Sequence, residues 1–372
     1  MRYSLVLLIS SLALCQENFI SPEVHADARV TFRLLAPKAT EVTLRGEWME
    51  GQVRATLVKD DQGLWSVTVG PLRPDLYSYS FTVDGLRIAD PRNPVLKPGA
   101  RSYSSLVDIP GPEVVFHALR PVPHGNLHIH HYSSAALGVV RRIHVYTPPG
   151  YESSPKQRYP VLYLLHGSGD TDAEWSSVGR AGWILDNLIA GGKAQPMLIV
   201  MPNGHATDAR DRDPAARGQN TAKFEAELTG DIIPLVEKTY RVEARRERRA
   251  LAGLSMGGMQ SLNIGLAHLN LFSHIGVFSA GIGGRLGTVQ DFENKFQAVL
   301  SKPEATNKQL ALFWIGCGKT DFLFQSVQEL IGTLKKNGVR HVYHESEGGH
   351  VWWNWRMYLA ELAPLLFGGN RS

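Results

Sequence analysis

Four segments in the second half of the chain are apolar on both sides of an extended backbone: 159–165, 197–201, 249–253 and 310–316. A strand whose odd and even side chains are both apolar needs cover on both faces, and a sheet layered between helices supplies it. The stretches between these segments have helical spacing. They are 181–190, 224–240, 257–268 and 324–337. In the second of them Ile232, Ile233, Val236 and Tyr240 recur on one side. Strands alternating with helices predict a doubly wound parallel α/β domain over residues 126–368.

The first third of the chain follows a different pattern. Residues 29–34, 41–45, 64–69 and 77–83 alternate apolar and polar side chains, the period of half-buried strands. The turn sequences at 60–63 and Asp84-Gly85 suit hairpins. Residues 25–110 therefore read as a small all-β sandwich of five to seven strands. Residues 111–125, with prolines at 112, 121 and 123, read as a linker. Residues 1–20 carry Arg2 ahead of an apolar run, Leu5 to Leu14, in the pattern of an export signal. Cys15 then offers a lipid-anchor site, although Leu14 is large for the position before it. No other stretch is apolar over the 18 residues an integral membrane helix needs. A secreted or periplasmic location follows, and with it a polymeric or extracellular substrate.

The chain has 372 residues, with 39 basic and 35 acidic side chains. That near balance speaks against a nucleic-acid partner, and 43% apolar residues are enough for a sizeable core. Two cysteines exclude a disulfide scaffold, and Cys317 reads as a small buried apolar side chain.

The chemistry concentrates where the apolar strands end. Gly253-Leu254-Ser255-Met256-Gly257 sits between an apolar strand and a helix, the setting of a nucleophile elbow. Ser255 is the expected nucleophile. A serine hydroxyl needs a base, and the base needs an orienting acid. His350, after two glycines near the C-terminus, is the expected base. Asp321, in the turn after an apolar strand, is the expected acid, with Asp291 and Glu347 as alternatives and Asp231 as a capping residue. The backbone N–H groups of Met256 and Ser168 are the expected oxyanion donors. His166 reads as structural. Trp352, Trp353 and His205 are candidates for substrate binding. Trp175, Trp183 and Trp355 could join them in an aromatic acyl pocket or belong to the core. His128, His130 and His131 form a cluster without the carboxylate or cysteine pattern of a zinc site. No metal or cofactor is expected.

Several of these segments carry a family resemblance: 146–151, Leu164-Leu165-His166-Gly167-Ser168-Gly169, Met201-Pro202-Asn203-Gly204-His205, the serine elbow, 314–321 and Glu347-Gly348-Gly349-His350. Together they resemble the esterase D-type branch of the α/β hydrolases and, within it, carbohydrate esterase family one, the feruloyl and acetylxylan esterases. Gly63-Leu64-Trp65, 77–85 and 90–94 resemble the early-set, immunoglobulin-like module that includes carbohydrate-binding module family 48. Trp48 and Trp65 could stack on sugar rings there or plug the sandwich core. The resemblance implies hydrolysis of ester side groups on plant cell-wall polysaccharide. Enterochelin esterases share a similar two-domain plan and are the alternative. A non-catalytic polysaccharide-binding protein and an acyltransferase stay open.

Overall fold

The computed structural model describes residues 19–49, 51, 53–208, 218–284 and 287–368. Most of the predicted leader, Cys15 included, lies outside these residues. No helix among the described residues is long and apolar enough to cross a membrane.

The N-terminal unit is a sandwich of two antiparallel sheets. One contains β1 (Glu23–Val24), β2 (Val30–Leu35), β5 (Val58–Lys59) and β6 (Leu64–Val69), in the order β1-β2-β6-β5. The other contains β3 (Val42–Gly46), β4 (Ala55–Thr56), β7 (Asp75–Val83), β8 (Leu86–Ile88), β9 (Leu96–Pro98) and β10 (Tyr103–Ile109). Period two explains the packing. Val30, Phe32 and Leu34 meet Val42, Leu44, Tyr79 and Phe81 in one core. The four predicted strands are present. The short β4, β5, β8 and β9 escape sequence reading because two or three residues show no period. Trp65 is buried and its indole N–H donates to Ala36 O at 2.9 Å, so it plugs the sandwich. Trp48 stacks on Phe32 at 5.6 Å and borders a cleft facing the second domain.

The second domain is an eight-stranded sheet in the order β11-β12-β14-β13-β15-β16-β17-β18. Its strands are β11 (Asn126–Ser134), β12 (Val139–Thr147), β13 (Val161–Leu165), β14 (Leu198–Pro202), β15 (Arg249–Leu254), β16 (His274–Phe278), β17 (Leu312–Gly318) and β18 (Val342–Ser346). From β14 onward neighbours are parallel, and β11 and β12 add an antiparallel edge. Leu162, Leu164, Ala250 and Ala252 pack under the helices Ala181–Ala190 and Trp352–Leu362. Val161, Tyr163, Leu165 and Leu251 face the helical stretch from Asn220 to Thr239. This is the α/β-hydrolase sheet, with both faces covered. The predicted helix 224–240 begins at Asn220 and contains a π turn at Leu228–Ile232.

The two units share a core. Leu76 and Leu106 of the sandwich belong to the same apolar cluster as Trp175, Trp352 and Leu359. Across this seam Arg356 is fully buried and donates to Asp75 Oδ1 at 2.5 Å, to Leu76 O and to Val178 O. The 111–125 segment is irregular apart from a short 3₁₀ turn at Pro112–Val114, but its first part is not a loose tether. His117 is fully buried, 3.5 Å from Asp75, and accepts from Arg180 at 3.1 Å. Composition predicts the missing regular structure and is silent on burial.

Truncating Arg356 would leave Asp75 as a buried carboxylate without its main partner, a change that costs about 3–5 kcal/mol. Arg356→Met is therefore expected to lower the denaturation midpoint strongly, whereas the double variant Arg356→Met/Asp75→Leu recovers much of the loss. Urea unfolding of the two variants checks this.

Candidate active site

The turn after β15 is set by close approach. A Cβ on Gly253 would lie 2.6 Å from Gly257 carbonyl atoms, and one on Gly257 would lie 2.6 Å from the carbonyl oxygens of Leu165 and His166. Only glycine lets strand, helix and the neighbouring loop come this near. Ser255, between them, is held at φ 53° and ψ −114°. A non-glycine residue there stores on the order of 1–3 kcal/mol of strain. Its N–H donates to Phe278 O at 2.9 Å, and the helix Met256–Ala267 starts at the next residue.

Asp321 follows β17 in a turn and is 4% exposed. Its two carboxylate oxygens lie 3.0 and 2.9 Å from His350 Nδ1, and the Leu323 N–H donates to Oδ1 at 2.8 Å. Burial by itself would raise this carboxyl, but the bond from His350 and the backbone donor outweigh it and hold it below the usual carboxylate range. The His350 ring is wedged between Phe322, at 4.4 Å, and Trp355, at 4.9 Å. Trp355 is itself fixed by an N–H bond to Ser279 Oγ at 3.0 Å.

Ser255, His350, Ser168, Trp352 and Trp355 line one pocket of about 330 Å³. Among the described residues no direct hydrogen bond joins the Ser255 hydroxyl to His350, a contact that often tightens only when substrate arrives. The structure thus brings Ser255, His350, Asp321 and Ser168 to one end of the sheet, with Met256 opening the helix beside them.

The remaining candidates divide. Trp352 lines the pocket. Trp353 does not. It lies in the seam between the domains, with the Arg73 guanidinium 3.9 Å over its ring and Phe116 against its edge. Adjacent helical residues point about 100° apart, and here that step turns Trp353 away from the pocket that Trp352 lines. Trp175 is core. Trp183 borders a separate cavity with Asp186. His205 borders the adjoining cleft, and burial pushes its ring down to about 4. His166 Nδ1 donates to Gly167 O, and its Nε2 accepts from the Gly204 N–H at 2.8 Å, so it ties two loops together. Asp291 caps the helix Val289–Lys295, and Glu347 pairs with Lys319 on the surface. Asp231 accepts from Ser134 and the Ala136 N–H. His128 and His130 are bonded to Thr147 and Tyr240. Cys317 is buried, and desolvation pushes its thiol up.

Sequence reading missed a second set of pocket residues, because they belong to the other domain. Glu47, Ser78 and Lys97 of the sandwich line the same pocket. Lys97 pairs with Asp170 at 2.8 Å, and the Ala100 N–H donates to Gly169 O at 3.0 Å. Both bonds hold the loop that carries Ser168. Glu47 accepts from the Trp352 N–H at 2.9 Å, two residues beyond His350. Nothing local marks these residues, since their role exists only once the domains dock.

A family model described as a putative esterase matches residues 134–366. The chain belongs to this esterase family. A model for carbohydrate-binding module 48, the isoamylase N-terminal domain, matches residues 21–98. An endo-1,4-beta-xylanase/feruloyl esterase of Xylanibacter ruminicola is 33% identical over 353 residues, 93% of this chain. The chain spans just under half the length of that relative, 46%. A solved ferulic acid esterase is 29% identical, with a TM-score of 0.57 over 65% of this chain and 97% of its own. The enterobactin esterase of Shigella flexneri, 18% identical, matches the fold of both domains, with a TM-score of 0.65 over 90% of this chain and 92% of its own.

Glu174 lies beside the Ser168 loop. Burial, with Asp170 nearby, pushes its carboxyl up to about 7. Its Oε2 accepts from Thr171, and its Oε1 has no partner. A folded-state value above the unfolded one near 4.5 means that ionisation works against folding. The stability this group provides is full below about pH 4.5 and is lost as pH rises through 7, a change on the order of 3 kcal/mol. Glu174→Gln is expected to flatten the fall in melting temperature between pH 5 and 8, which thermal unfolding across that range measures.

Proposed function

We propose that this chain is a serine carboxylic-ester hydrolase that removes feruloyl or acetyl groups from plant cell-wall xylan through an acyl-enzyme. The observation that carries this reading is His350, bonded to the buried Asp321, in the same pocket as a strained Ser255 at a helix N-terminus. In this reading Ser255 Oγ attacks the acyl carbonyl and His350 Nε2 takes its proton. The proton then passes to the departing sugar hydroxyl. Water, deprotonated by His350, releases the acid and frees the serine. Asp321 holds the imidazole with Nδ1–H toward itself and stabilises the charged ring. The N–H groups of Met256 and Ser168 receive the developing oxyanion, each such donor being worth about 3 kcal/mol. The names of the relatives and the carbohydrate-binding match support the substrate class. An export leader at residues 1–20, with Cys15 as a possible anchor site, fits a polymeric substrate outside the cell.

The enterochelin-type reading is favoured by one observation, the fold match across both domains. Hydrolysis of methyl ferulate, acetylated xylan and enterobactin by wild type and Ser255→Ala separates the readings. Turnover of the first two is expected, with a loss of about 10⁴-fold or more in Ser255→Ala. Preference for enterobactin would overturn the plant-wall reading, and equal rates for the two proteins would overturn the serine mechanism.

Lys97→Met removes the ion pair that steadies the Ser168 loop. It is expected to lower kcat on methyl ferulate roughly 10- to 100-fold with little change in KM, since a donor displaced by an ångström costs rate rather than binding. Steady-state kinetics with this small ester checks the split.

A further inference from the structure

Arg87 occupies a position that the proposed reaction does not explain. It lies on the short strand β8, and its guanidinium is held by the hydroxyls of Ser80 and Ser104, each at 2.9 Å. Among the described residues it forms no ion pair with a carboxylate. Partial desolvation, and after it the nearby Arg45 and Arg54 charges, hold its pKa below the usual arginine value. The side chain is exposed, and the two hydroxyls fix its guanidinium without neutralising it.

Its place gives that charge a use. Arg87 borders two clefts, of about 700 Å³ and about 670 Å³. The first also holds Ser168, His205 and Met256, and the second also holds His350 and Phe322. Ser78 lines both clefts and the serine pocket between them. Arg87 therefore borders both clefts that flank the serine pocket, and in the ester reading the alcohol part of the substrate lies along them. The cleft volumes suit several sugar rings.

We propose that Arg87 forms an anion subsite that binds the carboxylate of a uronic-acid substituent on the polysaccharide carrying the ester. This rests on the esterase reading above and names the charge of its substrate. The serine hydroxyls take up Nε and one bond of Nη2 without neutralising the guanidinium, and its planar set of donors suits a carboxylate better than the point charge of Lys does.

The test compares two acetylated xylo-oligosaccharides, one carrying glucuronic acid and one neutral, with methyl ferulate as a sugar-free ester. Wild type is expected to show a roughly tenfold higher kcat/KM on the acidic oligosaccharide at low salt, with the ratio falling as salt is raised. Arg87→Gln brings that ratio to about one through KM, and Arg87→Lys keeps part of it. No preference in wild type, or a preference that survives Arg87→Gln, overturns the subsite. Failure to hydrolyse any of the three esters overturns the esterase reading instead. Binding to Ser255→Ala by calorimetry then judges the subsite without turnover. Tighter binding of the acidic oligosaccharide, lost in Ser255→Ala/Arg87→Gln, supports it, and equal binding by the two variants overturns it.

Discussion

The ion pair of Arg356 with Asp75 is made in a place where neither charge can reach water. A pair of this kind contributes little net stability, because desolvation of both ions offsets their attraction. What it fixes is geometry. Arg356 belongs to the helix Trp352–Leu362, which begins two residues after His350. The same helix gives its first N–H to Glu47 and places Trp355 against the His350 ring. Docking of the sandwich therefore sets the position of this helix, and the helix sets the imidazole. Asp321 fixes the ring from the other side.

A second constraint acts at the elbow. The contact of Gly253 with Gly257, and of Gly257 with the carbonyls of 165 and 166, is a backbone approach that no side chain survives. It forces Ser255 to positive φ and lifts its side chain above the sheet. The strain there is offset by the packed strand and helix on either side. Leu251, Leu254, Leu262 and Ile264 are all buried. Rigidity in the core is what allows a strained residue at its edge.

These two constraints differ in how far they were legible in the sequence. The elbow was legible because everything that makes it is local: a strand, two glycines, a helix. The apolar runs and the alternating runs likewise predicted both domains, since periodicity records burial directly. Asp321 and His350 could be named because each follows a strand end with a glycine-rich turn. The docking seam was not legible. Glu47, Lys97 and Arg87 are ordinary polar residues in or beside strands, and only the fold brings Glu47 and Lys97 to the serine pocket and Arg87 to the clefts beside it. Trp353 was grouped with Trp352 because the two are neighbours in sequence, yet one helical step sends it to the seam. Residues 112–117 read as linker because composition reports turns and not what covers them.

The family match labels residues 21–98 as a carbohydrate-binding module, but here that unit also forms part of the site. Its β9 holds the Ser168 loop through Lys97 and Ala100, and its β3 end holds the helix after His350 through Glu47. Both loops that complete the proposed chemistry are thus tied to it. A sandwich attached by a flexible tether would raise the local concentration of polymer and leave the pocket unchanged. A sandwich that shares the core through Leu76 and Leu106 cannot separate without exposing that core. Both clefts beside the serine pocket have walls from both domains. In the proposed reaction the sugar side of the ester therefore faces side chains of the sandwich, while the bond that breaks lies at the strand ends of the sheet.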